Sequence, residues 1–379
     1  MATRACDVLI VGGGPAGSTC ARQLVRAGLD VLVMDRREFP RDKVCAGWVT
    51  PAVVDLLELD CADYAHGRVM HAFHGFRTGI IGATPVDTRY PRVASFGIRR
   101  CEFDHYLLQR SQARLRLGES MRSLVRKGRT WLVNDEISTP MVVGAGGHFC
   151  PVARALGARV GQNETVVSAQ EIEFLLPPEG SRECHIDKDV VQIYFCADLK
   201  GYGWCFPKGD YLNVGLGRED NHRLAEHVER FCLWLRERGA IPRNLPGRFN
   251  GHAYLLYPAS RRNLADDGVL LIGDAAGLAY PQSGEGIGPA VESGLMAAEV
   301  ILHAASDYRR QSLEPYVRRV TGRFGKRSSR QPGGPWLPQE FRQKLGSKLL
   351  ASKWFASHVV IDRWFLHAGP RGSLSRQAL

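Results

Sequence analysis

Gly12-Gly13-Gly14-Pro15-Ala16-Gly17 sets three glycines at the spacing G-x-G-x-x-G, directly after the apolar run CDVLIV at 6–11. At that spacing Gly12 permits a tight turn, Gly14 lets the backbone approach a pyrophosphate, and Gly17 lets the next helix pack on the strand. Pro15 and Ala16 fall in the first helical turn, whose unpaired N–H groups and partial positive charge attract phosphate. Asp35 closes the next apolar run, DVLVM at 30–34. There its carboxylate accepts from both hydroxyls of an adenosine ribose and repels a 2′-phosphate, and Arg36 is assigned to the same end of the ligand. A bare glycine turn is the plainer reading, but strand, glycines, helix and acid all fall in register for a dinucleotide.

A second turn, Gly273-Asp274-Ala275-Ala276, follows the run VLLIG at 269–273 and leads into Pro281-Gln282-Ser283-Gly284-Glu285-Gly286-Ile287-Gly288. This resembles the glycine–aspartate motif of FAD enzymes related to para-hydroxybenzoate hydroxylase. The resemblance implies that FAD is the dinucleotide and that Asp274 holds its ribityl chain. Gly286 and Ile287 would then open a helix aimed at the pyrimidine edge of the flavin, where it stabilises the negative charge of reduction by about 0.3–2 kcal/mol. Arg99-Arg100-Cys101-Glu102-Phe103-Asp104 resembles the arginine-bearing helix start of the same enzymes and places Arg100 near pyrophosphate and flavin. Val142-Val143-Gly144-Ala145-Gly146-Gly147 stands where relatives carry Gly-Ala-Asp-Gly, with Gly146 in place of the aspartate.

Four stretches narrow the match: Phe39 to Gly47 (FPRDKVCAG), Gly144 to Arg154 (GAGGHFCPVAR), Gly201 to Lys208 (GYGWCFPK) and Pro281 to Glu299. Together they resemble the geranylgeranyl reductase family, flavoproteins that saturate C=C bonds of isoprenoid chains. The resemblance covers roughly 1–305. It implies that Tyr202 and Trp204 lie on a strand near the flavin and that Cys45 lies beside the flavin and substrate channel, although the usual Cys-Gly-Gly is Cys-Ala-Gly here. A lone cysteine is more often a small buried hydrophobe. Halogenases carry a related Trp-x-Trp-x-Ile-Pro stretch, from which Tyr202 and Phe206 depart.

The expected chemistry is hydride transfer from reduced FAD to one alkene carbon, with an acid or water protonating the other in a dry, aligned cavity. Glu285 is the nearest acid in the motif loop, and it is equally suited simply to order that loop. No second G-x-G-x-x-G follows another strand, so electrons are expected from NAD(P)H bound transiently over the flavin or from an electron-donor protein. The alternative enzyme is a monooxygenase or halogenase that activates oxygen on an aromatic substrate. A third reading, of another class, is a flavin-binding protein that docks on a membrane or partner.

These residues need a scaffold in which distant segments meet. The fold class expected is α/β, a Rossmann-like FAD-binding domain with an inserted antiparallel-sheet substrate domain and a helical C-terminal tail. Residues 1–70, 96–165 and 260–310 are assigned to the FAD domain, 71–95 and 166–259 to the substrate sheet, and 311–379 to the basic tail. Helices are expected at 99–117, 222–239, 284–304 and 339–366, the last after a glycine- and proline-rich loop at 325–338. Strands are expected at 171–176, 190–196 and 211–216.

The 379 residues carry a net charge of +11, and 309–379 hold fifteen Lys or Arg against Glu314, Glu340 and Asp362. The basicity therefore belongs to the tail. There Phe341, Leu345, Leu349, Leu350, Trp354, Phe355, Val359, Ile361 and Phe365 alternate with Lys344, Lys348, Lys353 and Arg363, a pattern for a core-facing helix or for one lying in an anionic bilayer surface. Nucleic acid is a poorer reading, because no binding module accompanies the charge. The ten cysteines show no Cys-x-x-Cys pair, so reduced thiols in the cytoplasm and no metal site are expected. No apolar run reaches the roughly 18 residues of a membrane span.

Overall fold

Val8–Val11 sits in the middle of a six-stranded sheet ordered 265–266, 269–271, 141–144, 8–11, 31–34, 114–116. Every pair is parallel except the 265–266 edge. Val8, Leu9 and Ile10 are fully buried, as a strand covered by helices on both faces requires. The structure, a computed structural model, describes residues 4–159, 164, 166–176, 184–220, 222–327 and 339–368. The side chain of Phe341 and the 328–338 part of the expected loop lie outside the described residues.

The helix Pro15–Arg26 packs on Ile287–His303. The approach is close enough that a Cβ on Gly294 would lie 2.6 Å from the Ala16 carbonyl oxygen. The N-terminal and C-terminal parts of the dinucleotide domain are thereby locked together.

The second layer is a seven-stranded sheet ordered 250–255, 166–175, 211–218, 201–208, 190–195, 75–80, 86–89. One face carries Ile172, Phe174, Leu212, Val214 and Leu216 against the helix Leu224–Glu237. The other carries Trp204, Phe206, Val191 and Ile193 toward Trp48, Phe73 and the C-terminal helices. A three-stranded sheet of 48–49, 95–98 and 70–73 joins the two layers, and a four-stranded sheet of 4–5, 137–139, 130–133 and 124–127 flanks the first.

Two expected helices are corrected. The one expected to reach 117 ends at Arg110, where the Ser111 hydroxyl donates to the Leu108 carbonyl and Gln112 turns left-handed with φ 57°. Residues 114–116 instead complete the sheet beside 31–34; edge pairing outweighs local helical pattern. The helix expected over 339–366 is two: Gln339–Leu350, and a second that starts at Lys353–Phe355 and continues in π register over Ala356–Phe365.

Both tail helices wrap the substrate sheet. Leu350, Val360, Ile361 and Phe365 are buried in its core, the Tyr90 hydroxyl donates to Asp362 at 2.5 Å, and Thr88 and Ser357 share a hydroxyl bond of 2.8 Å. The break at Ala351-Ser352 lets each arm bury its own apolar side against that curved surface.

Candidate functional site

The first glycine turn is shaped by close approach. A Cβ on Gly17 would lie 1.9 Å from the Gly12 carbonyl oxygen, so helix and strand touch backbone to backbone. Gly14 is different: its backbone is extended, and a Cβ there would find nothing nearer than Arg41 Nη2 at 3.6 Å and Asp104 Oδ2 at 4.0 Å. The space in front of Gly14 is thus open and overlooked by a guanidinium. Arg41 pairs with Asp104 at 3.2 Å through Nη2, while its Nη1 is buried with no hydrogen-bond partner. An orphaned cationic donor beside an open glycine turn at a helix N-terminus fits a pyrophosphate. Pro15, Ala16 and Gly17 form the first buried turn of that helix.

Asp35 is buried, and its carboxylate accepts from the N–H groups of Gly13 at 2.8 Å and Arg37 at 2.9 Å. These bonds aim it and leave lone pairs for ribose hydroxyls. Arg36, grouped with it from the sequence, is exposed. Arg100 is buried and engages Asp104 in a two-pronged pair at 2.7 and 2.8 Å, so its guanidinium is committed to holding the carboxylate that also orients Arg41.

The second turn abuts the first. Gly273 has φ +57°, a left-handed conformation that favours glycine, and a Cβ there would lie 3.0 Å from Cβ of Ala16. Its N–H donates to Ser293 Oγ at 2.9 Å. Asp274 Oδ1 lies 3.2 Å from the position a Cβ on Gly286 would take, and Ile287 begins the following helix with its side chain buried. His252 Nε2 lies 3.8 Å from Asp274 Oδ2 and takes a 2.9 Å hydrogen bond from Lys43 Nζ. Burial opposes the charge on Asp274, but His252, Lys43 and Arg100 outweigh it and hold the carboxyl below its ordinary range.

Beneath this turn lies Arg262, which the sequence reading missed. It is buried, grips Glu164 at 2.9 and 3.0 Å, donates to the carbonyls of Asp274 at 3.3 Å and Ala275 at 3.1 Å, and meets His148 Nδ1 at 3.2 Å. Burial first, and the Arg262 charge second, push the His148 imidazole down to about 4. It is therefore neutral at pH 7, with Nδ1 free to accept from the guanidinium.

The substrate sheet closes the site from the opposite side. The register pairs His252 with Ala169, and Glu171 with Gly215, which in turn pairs with Trp204. Directly opposed residues share a face, so Glu171, His252 and Trp204 all look toward the Gly-Asp turn. The Trp204 ring lies over Gly215, and its Nε1 donates to Asn213 Oδ1 at 2.7 Å. The Tyr202 hydroxyl donates to the Ser283 carbonyl, tying this sheet to the motif loop. The Cys45 N–H donates to Glu171 Oε1 at 2.6 Å, while Cys45 Sγ accepts from Gly47 N–H at 3.4 Å. Glu285 accepts from Gly288 N–H at 3.2 Å and pairs with His367 Nε2 at 2.8 Å. It orders its own loop and holds His367 of the tail. Phe365 stands edge-on to both Tyr202 and Trp48, at centroid distances of 5.5 and 6.1 Å.

The structure thus links Cys45, Tyr202, Trp204, Glu285, Asp274, Gly286 and both glycine turns through short contacts, and leaves Arg36 at the surface. Arg41, Lys43, Glu171, His252 and Arg262 belong to the same set. Arg41 and Lys43 sit inside the quoted FPRDKVCAG stretch. Glu171 and Glu173 alternate in EIEFLL, where two carboxylates on the same side of a buried strand were the available signal.

Residues 5–321 match the model of the FAD binding domain family. The chain is 31% identical over 322 residues to a menaquinone reductase of Mycolicibacterium smegmatis, covering 79% of this chain and 77% of that protein. It is 26% identical over 333 residues to a digeranylgeranylglycerophospholipid reductase of Methanocaldococcus jannaschii, covering 83% and 81%. A geranylgeranyl bacteriochlorophyll reductase-like protein from Thermoplasma acidophilum shares the fold at TM-score 0.73 and 21% identity, covering 99% of this chain and 95% of the other.

Proposed function

Because this chain belongs to the FAD binding domain family and is an FAD-dependent oxidoreductase of geranylgeranyl reductase type, we propose that it reduces C=C bonds of an isoprenoid or similarly hydrophobic substrate. The observation that carries this reading is the apolar wall opposite the Gly-Asp turn. Trp48, Phe76, Tyr202, Trp204 and Phe365 form a connected set of edge-on and tilted rings with centroids 5.5–6.1 Å apart. These rings lie in or against one buried core cluster, so a substrate taken up beside them would meet apolar surroundings with few polar partners. The names of the two sequence relatives, a menaquinone and a digeranylgeranyl lipid reductase, support a polyprenyl substituent as the common element.

When bound, FAD supplies two-electron hydride chemistry. The protein's own share is positional. Gly14 and Arg41 would take the pyrophosphate, Asp35 the ribose and Asp274 the ribityl chain. The Gly286–Ile287 helix start would turn its N–H groups toward the flavin, and the buried aromatic cluster would keep water from the substrate. Electrons enter from NAD(P)H or from an electron-donor protein. The test is anaerobic: chemically reduced enzyme mixed with geranylgeraniol should regain the oxidised flavin spectrum and yield an alcohol heavier by two hydrogens per bond reduced. If the reduced enzyme ignores the alkene but consumes oxygen productively with an aromatic substrate, the oxygenase alternative replaces this reading.

The tail adds a contact with an anionic membrane surface. Among the described residues no helix is long and apolar enough to cross a membrane. On the side turned away from the sheet, Leu345, Leu349 and Trp354 are 44%, 37% and 65% exposed, flanked by exposed Lys344, Lys348 and Lys353. That mixture suits the headgroup boundary. Replacing the three apolar residues by aspartate should abolish pelleting with phosphatidylserine vesicles and leave thermal stability unchanged, since none of the three supports the core. Equal pelleting would remove the membrane contact.

A further inference from the structure

We propose that Glu171 is the proton donor of the alkene reduction, a role that rests on the C=C reductase reading above. Glu171 is only 6% exposed and lies on the sheet face that brings His252 to Asp274. One carboxyl oxygen, Oε1, accepts from Cys45 N–H at 2.6 Å, and the other, Oε2, is buried with no hydrogen-bond partner. A buried carboxylate with a bare oxygen costs more than the neutral acid does, and the acid has an Oε2–H proton to give.

Its neighbour supplies the contrast. Glu173, two residues along the same face, receives Lys208 Nζ at 2.5 Å, Arg99 at 3.2 Å and Asn213 Nδ2 at 3.2 Å. Burial opposes its charge, yet these partners hold Glu173 below its ordinary value, while burial raises Glu171 despite Lys208, Cys45 N–H and Lys43. Two adjacent carboxyls driven apart in this way divide into an ion and an acid. The groups that face Glu171 are therefore Lys208 and Glu173 from the sheet, and Lys43 and Cys45 from the 39–47 stretch.

The step balances. One alkene carbon accepts a hydride from the reduced flavin, and the other accepts the Glu171 Oε2 proton as the π bond breaks and two C–H bonds form. Glu171 is left as a carboxylate, beside Lys208 and the Cys45 N–H, and solvent restores its proton. Since the acid form is the active one, alkene turnover should fall as pH rises through the raised Glu171 pKa.

Glu171→Gln keeps the acceptor for Cys45 N–H and removes the proton. It should bind FAD and be reduced by dithionite as the parent enzyme is, yet be reoxidised by geranylgeraniol roughly a hundredfold or more slowly and lack the high-pH limb. Glu171→Asp should restore part of both. Infrared spectra of the parent at pH 7 should show a buried carboxylic-acid C=O band that Glu171→Gln lacks. Glu171→Gln turnover within a few-fold of the parent with the same pH limb would overturn the assignment. If the parent itself fails to reduce the alkene, the reductase reading falls, and the infrared band then decides separately whether Glu171 is held as an acid; its absence overturns that too.

Discussion

Gly14→Val is expected to leave the chain folded and to strip it of FAD. The extended backbone at Gly14 suits any residue, and the first protein atom a Cβ would meet is the Arg41 guanidinium 3.6 Å away. The added methyl groups therefore fill only the space in front of the turn, where a pyrophosphate must sit. Overpacking a filled site costs about 1–3 kcal/mol, so affinity should drop roughly ten- to a hundredfold, read by flavin fluorescence on titration, with the melting temperature of the FAD-free protein unchanged. Gly17→Val makes the control, because its Cβ collides with the Gly12 carbonyl oxygen at 1.9 Å and must damage the fold itself. Equal flavin binding by Gly14→Val and the parent would remove the pyrophosphate from this turn.

Arg262→Ala is expected to cost more than any surface change. The guanidinium is the shared partner of Glu164, of the carbonyls behind Asp274 and Ala275, and of His148. Its loss leaves the largely buried Glu164 carboxylate and the Ala275 carbonyl uncompensated, while the Asp274 carbonyl keeps its bond from Gly277 N–H at 3.1 Å, and breaking a buried pair from one side costs about 3–5 kcal/mol. The denaturation midpoint should fall accordingly, and FAD should bind more weakly because the Asp274 turn loses its brace. Arg262→Lys should rescue only a fraction, since one ammonium cannot reproduce a forked grip on a carboxylate and two carbonyls. An unfolding free energy within about 1 kcal/mol of the parent's would show that Glu164 finds another partner and that the turn stands without Arg262.

The parts of the site legible in the chain are those whose constraint is local. Gly12, Gly14 and Gly17 serve one turn, and Asp35 ends the adjoining strand, so spacing alone registers them. Gly273-Asp274 is again a single turn after a buried strand. Arg41, Lys43, Glu171, His252 and Arg262 carry no such mark. The meaning of each depends on a partner far along the chain, as with Lys43 and His252 or Cys45 and Glu171. Arg100 shows the reverse case: its place at the helix start was legible, but its engagement with Asp104 was not, because a charged side chain is committed by whichever neighbour folding supplies.

The sequence by itself determined the dinucleotide turn, the parallel strands that present it and the alternating strands of the second sheet, because backbone geometry and hydrophobic period are written residue by residue. Tertiary structure alone decided that the tail breaks into two helices, buries Val360, Ile361 and Phe365 on the substrate sheet, and sends His367 to Glu285. It also decided which of two neighbouring glutamates burial pushes up and which its cationic partners hold down. Burial and charge pairing are properties of the assembled surroundings, and a one-dimensional pattern holds no record of which segments will supply them.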